Sequence, residues 1–246
     1  MTGTRPRWFG TPPRRGSLPP MTAPKDPELT GMAIFDLDRT LVPGSSLVPL
    51  GRELVRRELV NRRFLARHAW SAAAFSRRGL DTGRTEAVQG SLLAALAGRS
   101  HAELAAVARD VGRDLVEAVY PGARWLIDRH LGSGDFCVIL TAAPQELAAA
   151  LAGALGVHRA IGTRLEIDAG RFTGGLDGGF CHGEGKVQRL TEELGVEDLT
   201  GATAYGDSIS DLPVLERAGD PVAVNPDRAL ARHAHEHGWP TLQFGT

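Results

Sequence analysis

Short apolar runs and longer amphipathic stretches alternate along most of this chain. Residues 32–35 form a compact apolar run, as a strand buried on both faces would. A loop with Pro43 and Gly44 follows. From 46 to 119 the apolar positions recur only at helical spacing: Leu47, Leu50, Leu54 and Val55; Phe64, Leu65, His68 and 70–75; Leu92, Leu93 and Leu96; Leu104, Val107, Val111, Leu115 and Val119. Breaks at 79–82 and 98–100 divide this block into about four helices, one of them opened by Ser100 and Glu103 at capping-box spacing.

After Tyr120-Pro121-Gly122 strand and helix signals alternate. Helices are expected over 123–131, 144–155, 185–194, 210–218 and 226–236. Strands are expected over 136–140, 203–205 and 222–224, with a hairpin over 165–167 and 171–173 and a last strand near 241–244. This pattern predicts an α/β fold: a doubly wound parallel sheet, Rossmann-like, with the helical block inserted after the first strand. The expected division is a core of 31–44 and 121–246, a helical-bundle cap of 45–120, and a leader over 1–30. The leader is rich in Pro, Arg and Gly, lacks apolar periodicity and reads as disordered.

Bulk properties narrow the function classes. A net charge of -1 over 246 residues argues against a nucleic-acid binder. The longest apolar stretch, 147–157, is far short of the roughly 20 residues of a membrane span. The arginines near the start precede no apolar segment of signal-peptide type, so a cytoplasmic location is expected. Cys137 and Cys181 are the only cysteines, too few for a disulfide framework. Of the 28 basic residues only Lys25 and Lys186 are lysines. A lysine kept against that background marks a place for a compact point charge.

The candidate chemistry lies at strand ends. In an open parallel sheet, ligands bind beyond the carboxyl ends of the strands. The first strand ends in Asp36, with Asp38 two residues on; the second leads to Thr141; the third ends in Gly206-Asp207-Ser208, with Asp211 four residues after Asp207. Four carboxylates gathered on one rim repel, by about 4 kcal/mol per pair at about 4 Å and an effective dielectric of 20, and call for a cation. Hard oxygen ligands select Mg²⁺, which favours sites that also hold phosphate. The expected roles are Asp36 as nucleophile on phosphorus, Asp38 as proton donor and then acceptor, and Thr141 and Lys186 as holders of the phosphoryl oxygens. The substrate is then a small-molecule phosphate ester. His233, His235 and His237 are spaced as a solvated terminus rather than as a metal site, and His182 is a neighbour of Lys186 in sequence.

These motifs, in this order, resemble the haloacid dehalogenase superfamily, and within it the phosphoserine-phosphatase-like branch, subfamily IB, with a helical cap. Phe-Asp-Leu-Asp-Arg-Thr-Leu at 35–41 is similar to the first motif of that family, Thr141 to the second, Lys186 to the third and Gly206–Asp211 to the fourth. The resemblance implies metal ligation by Asp36, the main-chain carbonyl of Asp38, and Asp207, with Asp211 supporting the site and orienting Lys186. Two departures stand out. Ser45 occupies the place of the Glu that meets the amino group of phosphoserine, and Arg39 stands where a small residue is common. Arg84 and Arg78 are the candidates for the cap arginine that binds the serine carboxylate. A phosphotransferase of the same fold is the second enzyme reading. A receiver-like phospho-Asp domain is disfavoured by Asp38, which would hasten loss of the phosphoryl group, and by the inserted block.

Overall fold

The computed structural model describes residues 31–60, 93 and 95–245. Helices expected around Phe64, Leu65, His68, residues 70–75 and Leu92 lie outside the described residues, as does the 1–30 leader. The elements run β1 (Met32–Phe35), α1 (Leu47–Arg56), α2 (His101–Ala118), α3 (Pro121–Gly132), β2 (Phe136–Pro144), α4 (Gln145–Leu155), β3 (Arg159–Thr163), β4 (Leu165–Asp168), β5 (Arg171–Leu176), α5 (Glu184–Leu194), β6 (Ala202–Gly206), a 3₁₀ turn (Ile209–Asp211), α6 (Leu212–Leu215), β7 (Asp220–Val224), α7 (Arg228–His237) and β8 (Thr241–Leu242).

Six strands form one parallel sheet in the order β3-β2-β1-β6-β7-β8. The period-two alternation of β1 explains its central place. Ala33 and Phe35 enter one apolar core with Cys137, Ile139 and Tyr205, whereas Ile34 enters a second with Val138, Leu140 and Ala204. On the first face lie Val107, Val111 and Leu115 of α2, Ala123 and Ile127 of α3, and Leu147, Leu151 and Leu155 of α4. On the second lie Leu190 and Leu194 of α5, Val214 and Leu215 of α6, and Leu230 and Ala234 of α7. Strand order reverses between β1 and β6, so the crevice for a ligand opens where Asp36 and Asp207 emerge.

Several expectations are corrected. The strand read as 136–140 runs on to Pro144, so α4 starts at Gln145 with Pro144 as its N-cap. A strand at Arg159–Thr163 went unread: its burial is that of a strand, but an arginine and a glycine break up the apolar run. The helix expected over 210–218 is instead a 3₁₀ turn and a four-residue helix, because the Asp211 side chain bonds back to the preceding backbone. The hairpin is present as β4 and β5, somewhat longer than expected. Its second strand pairs with the segment before α2: the Gly98 N–H donates to the Phe172 carbonyl at 2.7 Å and the Phe172 N–H to the Arg99 carbonyl at 3.0 Å. Ser100 caps α2 by accepting from the Glu103 N–H. None of the described helices is long and apolar enough to cross a membrane.

Helix α2 lies against α4 through a close contact: a Cβ placed on Gly112 would meet the Ala150 Cβ at 2.9 Å. Gly112→Val should therefore push the two helices apart and cost about 1–3 kcal/mol, the usual range for overpacking. A thermal melt followed by circular dichroism is expected to show a clear fall in Tm. Gly132→Ala, at a helical glycine with open space around its Cβ position, should leave Tm unchanged or slightly raised.

Candidate active site

The first strand delivers Asp36 by direct pairing. Phe35 is in register with Ile139 on one side and Tyr205 on the other, and the Asp36 N–H donates to the Tyr205 carbonyl at 2.9 Å. The chain then turns sharply. The N–H groups of Leu41 and Val42 both donate to the Leu37 carbonyl, at 2.9 and 3.2 Å, and the Arg39 N–H donates to the Val42 carbonyl at 2.8 Å. Buried Leu37, Leu41 and Val42 anchor this turn in the core. Arg39 sits within it at φ 62, in the left-handed region that favours glycine. Its carbonyl accepts from Asn225 Nδ2 at 2.7 Å, and Asn225 Oδ1 accepts from the Phe244 N–H at 2.8 Å.

Across the crevice, residues 206–211 fold around Asp211. Its Oδ2 accepts from the N–H groups of Asp207 and Ser208, both at 3.1 Å, and from Ser208 Oγ at 3.3 Å. Gly206 is required here, since a Cβ would lie 2.6 Å from that of Asp211. The Asp227 N–H ties the same loop to the start of α7 by donating to the Asp207 carbonyl at 2.7 Å.

Lys186, in the first turn of α5, closes the site. Its Nζ donates to Asp36 Oδ1 and to Asp211 Oδ1, each at 2.6 Å, and the side chain is 3% exposed. Oxygens of Asp36, Asp207 and Asp211 all lie within 4.8 Å of one another, the one such group of potential metal ligands among the described residues. Both oxygens of Asp211 are engaged by protein donors. Asp36 Oδ2 and Asp207 Oδ1 have no hydrogen-bond partner among the described residues, while Asp207 Oδ2 accepts from the Arg39 guanidinium.

The charges do not balance. Burial raises the Asp36 carboxyl from 3.8 to about 7, with Lys186 opposing and Asp211 adding to the rise. Burial, then Asp211 and Asp36, push Asp207 up to about 9 against the pull of Arg39. Burial alone would lower Lys186, but Asp211 and Asp36 outweigh it and hold the ammonium charged well above its ordinary range. One ammonium shared among crowded carboxylates is thus secure in its own charge yet leaves them under-compensated. Such an oxygen-only, electron-rich set fits a hard divalent cation.

Asp38 lies at the rim. Its Oδ1 accepts from the Ser46 N–H at 2.8 Å and its Oδ2 from Ser45 Oγ at 3.1 Å. Burial raises this carboxyl, and the hydrogen bonds from Ser46 and Ser45 oppose the rise. Thr141 stands two residues beyond Ile139, the strand partner of Phe35; its Oγ1 accepts from the Ala143 N–H at 3.2 Å. The structure thus gathers Asp36, Lys186, Asp207 and Asp211 in one bonded cluster, with Asp38 on the turn after β1 and Thr141 in the last part of β2. His182 is lowered by burial and then by Lys186, but its ring bonds to no member of the cluster. The His233 and His237 rings stack with centroids 3.9 Å apart, and neither belongs to a metal-type group among the described residues. Arg78 and Arg84 lie outside the described residues. Asn225 and Asp227 were not singled out from the sequence; Asn225-Pro226-Asp227 carried a signal, since Asp before a helical run is a common N-cap.

The family model for haloacid dehalogenase-like hydrolases matches residues 33–216. A Mycobacterium tuberculosis protein named phosphoserine phosphatase SerB1 is 38% identical over 88% of this chain and 72% of its own length. A Neisseria meningitidis serogroup C protein named histidinol-phosphatase is 33% identical over 88% of this chain and 100% of its own length. The crystal structure of a Bordetella pertussis Tohama I protein of unknown function matches with a TM-score of 0.73 at 30% identity, covering 87% of this chain and 98% of that one. The chain belongs to the haloacid dehalogenase-like hydrolase family and is a phosphatase of that family.

Proposed function

We propose that the chain is a Mg²⁺-dependent phosphomonoester hydrolase that acts on a small organic phosphate through an aspartyl phosphate on Asp36. The observation that carries this reading is the shared ammonium: Lys186 Nζ lies 2.6 Å from both Asp36 and Asp211, with Asp207 in the same cluster. Asp36, the Asp38 main-chain carbonyl and Asp207 would hold the ion, with Asp211 in support. When bound, the ion neutralises phosphate charge and lets a carboxylate approach phosphorus.

The chain's own groups supply the rest. Lys186 fixes the Asp36 side chain through Oδ1, and Oδ2 remains free to attack phosphorus. As that bond forms, the ester P–O bond breaks and the leaving alkoxide takes a proton from Asp38. Burial raises the Asp38 carboxyl, the direction a proton donor needs. Water then gives its proton to Asp38 and attacks phosphorus, the Asp36–phosphorus bond breaks, and inorganic phosphate leaves. Lys186 and Thr141 stabilise the phosphoryl oxygens. In this reading residues 45–120 form the cap over the site. The unpaired, buried thiols of Cys137 and Cys181 suit a reducing, cytoplasmic compartment.

Turnover of p-nitrophenyl phosphate tests the chemistry. EDTA or Asp36→Asn should abolish it, and Asp38→Asn should slow it by about 10²-fold or more, the usual worth of acid-base catalysis. Turnover that persists with chelator, or at wild-type rate in Asp36→Asn, would contradict the reading.

The charge imbalance gives a second expectation. Carboxyls raised in the folded state keep protons that the unfolded chain releases above its ordinary 3.8. Without metal, these two groups make stability fall as pH rises from there, until they ionise near about 7 and about 9. Mg²⁺ offsets that loss once the protons are gone. The gain in Tm on adding saturating MgCl₂ should therefore be larger at about pH 8 than at about pH 5.5. An equal gain at both values would contradict it.

A further inference from the structure

The turn after β1 holds a cation that the hydrolytic scheme does not use. Arg39 pairs with Asp207 through Nε and a terminal nitrogen, both directed at Oδ2. The Arg39 side chain is 41% exposed, whereas that of Asp207 is 6% exposed. Arg39 thus reaches from the rim onto a buried carboxylate of the acidic cluster.

The backbone beneath Arg39 is unusual. Its φ of 62 lies where glycine sits without penalty and an arginine does not. That conformation is fixed from three sides: the Arg39 N–H on the Val42 carbonyl, Asn225 Nδ2 on the Arg39 carbonyl, and the Phe244 N–H on Asn225. The result is a side chain delivered to Asp207 from a turn that glycine would form more easily.

We propose that Arg39 is a built-in counter-ion for Asp207 that competes with the divalent cation at the acidic cluster and so weakens the affinity of the site for it. The proposal rests on the metal reading given above. With Asp36, Asp207 and Asp211 ionised, Lys186 and Arg39 leave the cluster one negative charge in excess; without Arg39 it has two. A cation entering beside Asp207 meets a guanidinium already on one of that residue's oxygens. It must either displace Arg39, breaking the pair, or bind next to it against like-charge repulsion. Either course lowers affinity. The alternative, in which Arg39 aims Asp207 and strengthens metal binding, predicts the opposite sign.

Two variants separate these outcomes. Arg39→Gly removes the charge and suits the left-handed turn, so folding is not endangered. Arg39→Lys keeps the charge. Mg²⁺ binding is measured by isothermal titration calorimetry at fixed ionic strength, and Tm is followed with and without the ion. Arg39→Gly is expected to bind Mg²⁺ at least about fivefold more tightly than wild type, with a larger metal-induced rise in Tm, as removal of a like charge beside a cation site requires. Arg39→Lys should stay close to wild type. Unchanged or weaker binding by Arg39→Gly, with wild type binding normally, overturns the counter-ion role and leaves the metal reading intact. Failure of wild type and Arg39→Gly alike to bind Mg²⁺ overturns both.

Discussion

One buried ammonium shared by two carboxylates is the interaction around which the site is arranged. Lys186 holds Asp36 and Asp211 at 2.6 Å each, and nothing but a compact point charge could serve both from a single atom. Carboxylates this close would repel each other by about 4 kcal/mol per pair at an effective dielectric of 20. Lys186 relieves part of that cost. The remainder stays as the raised carboxyls of Asp36 and Asp207, and it makes the cluster a group that could hold a cation.

The fold is organised to make that meeting possible. The strand order reverses between β1 and β6, so two aspartates 171 positions apart in a chain of 246 emerge side by side. Asp211 is drawn back by the N–H groups of Asp207 and Ser208, and this fixes both the loop and the face it offers to Lys186. Asp38 is held from the other side by Ser45 and Ser46 at the start of the inserted block. The relatives named for phosphoserine and for histidinol phosphate share this fold, so family membership alone does not set the leaving group. Ser45, at the position where the resembled branch carries a Glu, donates its hydroxyl to Asp38.

Most of the core was legible because its signals are local. The apolar runs of β1, β2, β6 and β7 and the capping pair Ser100 and Glu103 announce their elements without tertiary help. Strand β3 was not legible, since Arg159 and Gly162 interrupt its apolar run at the sheet edge. Asp36, Lys186, Asp207 and Asp211 could be read as polar residues at element ends, and the structure brings them together. The pairing of Arg39 with Asp207 could not. It depends on a left-handed backbone fixed by Asn225, a residue 186 positions away, and no local propensity encodes that contact.

The central claim is that this arrangement prepares Asp36 to take up a phosphoryl group. The most direct measurement is mass spectrometry of peptides from enzyme quenched in acid during turnover of p-nitrophenyl phosphate with Mg²⁺. The account predicts one added phosphoryl group on the peptide that carries Asp36, and its loss in Asp36→Asn. A phosphoryl group found on another residue, or steady turnover with none bound covalently at any quench time, would contradict it.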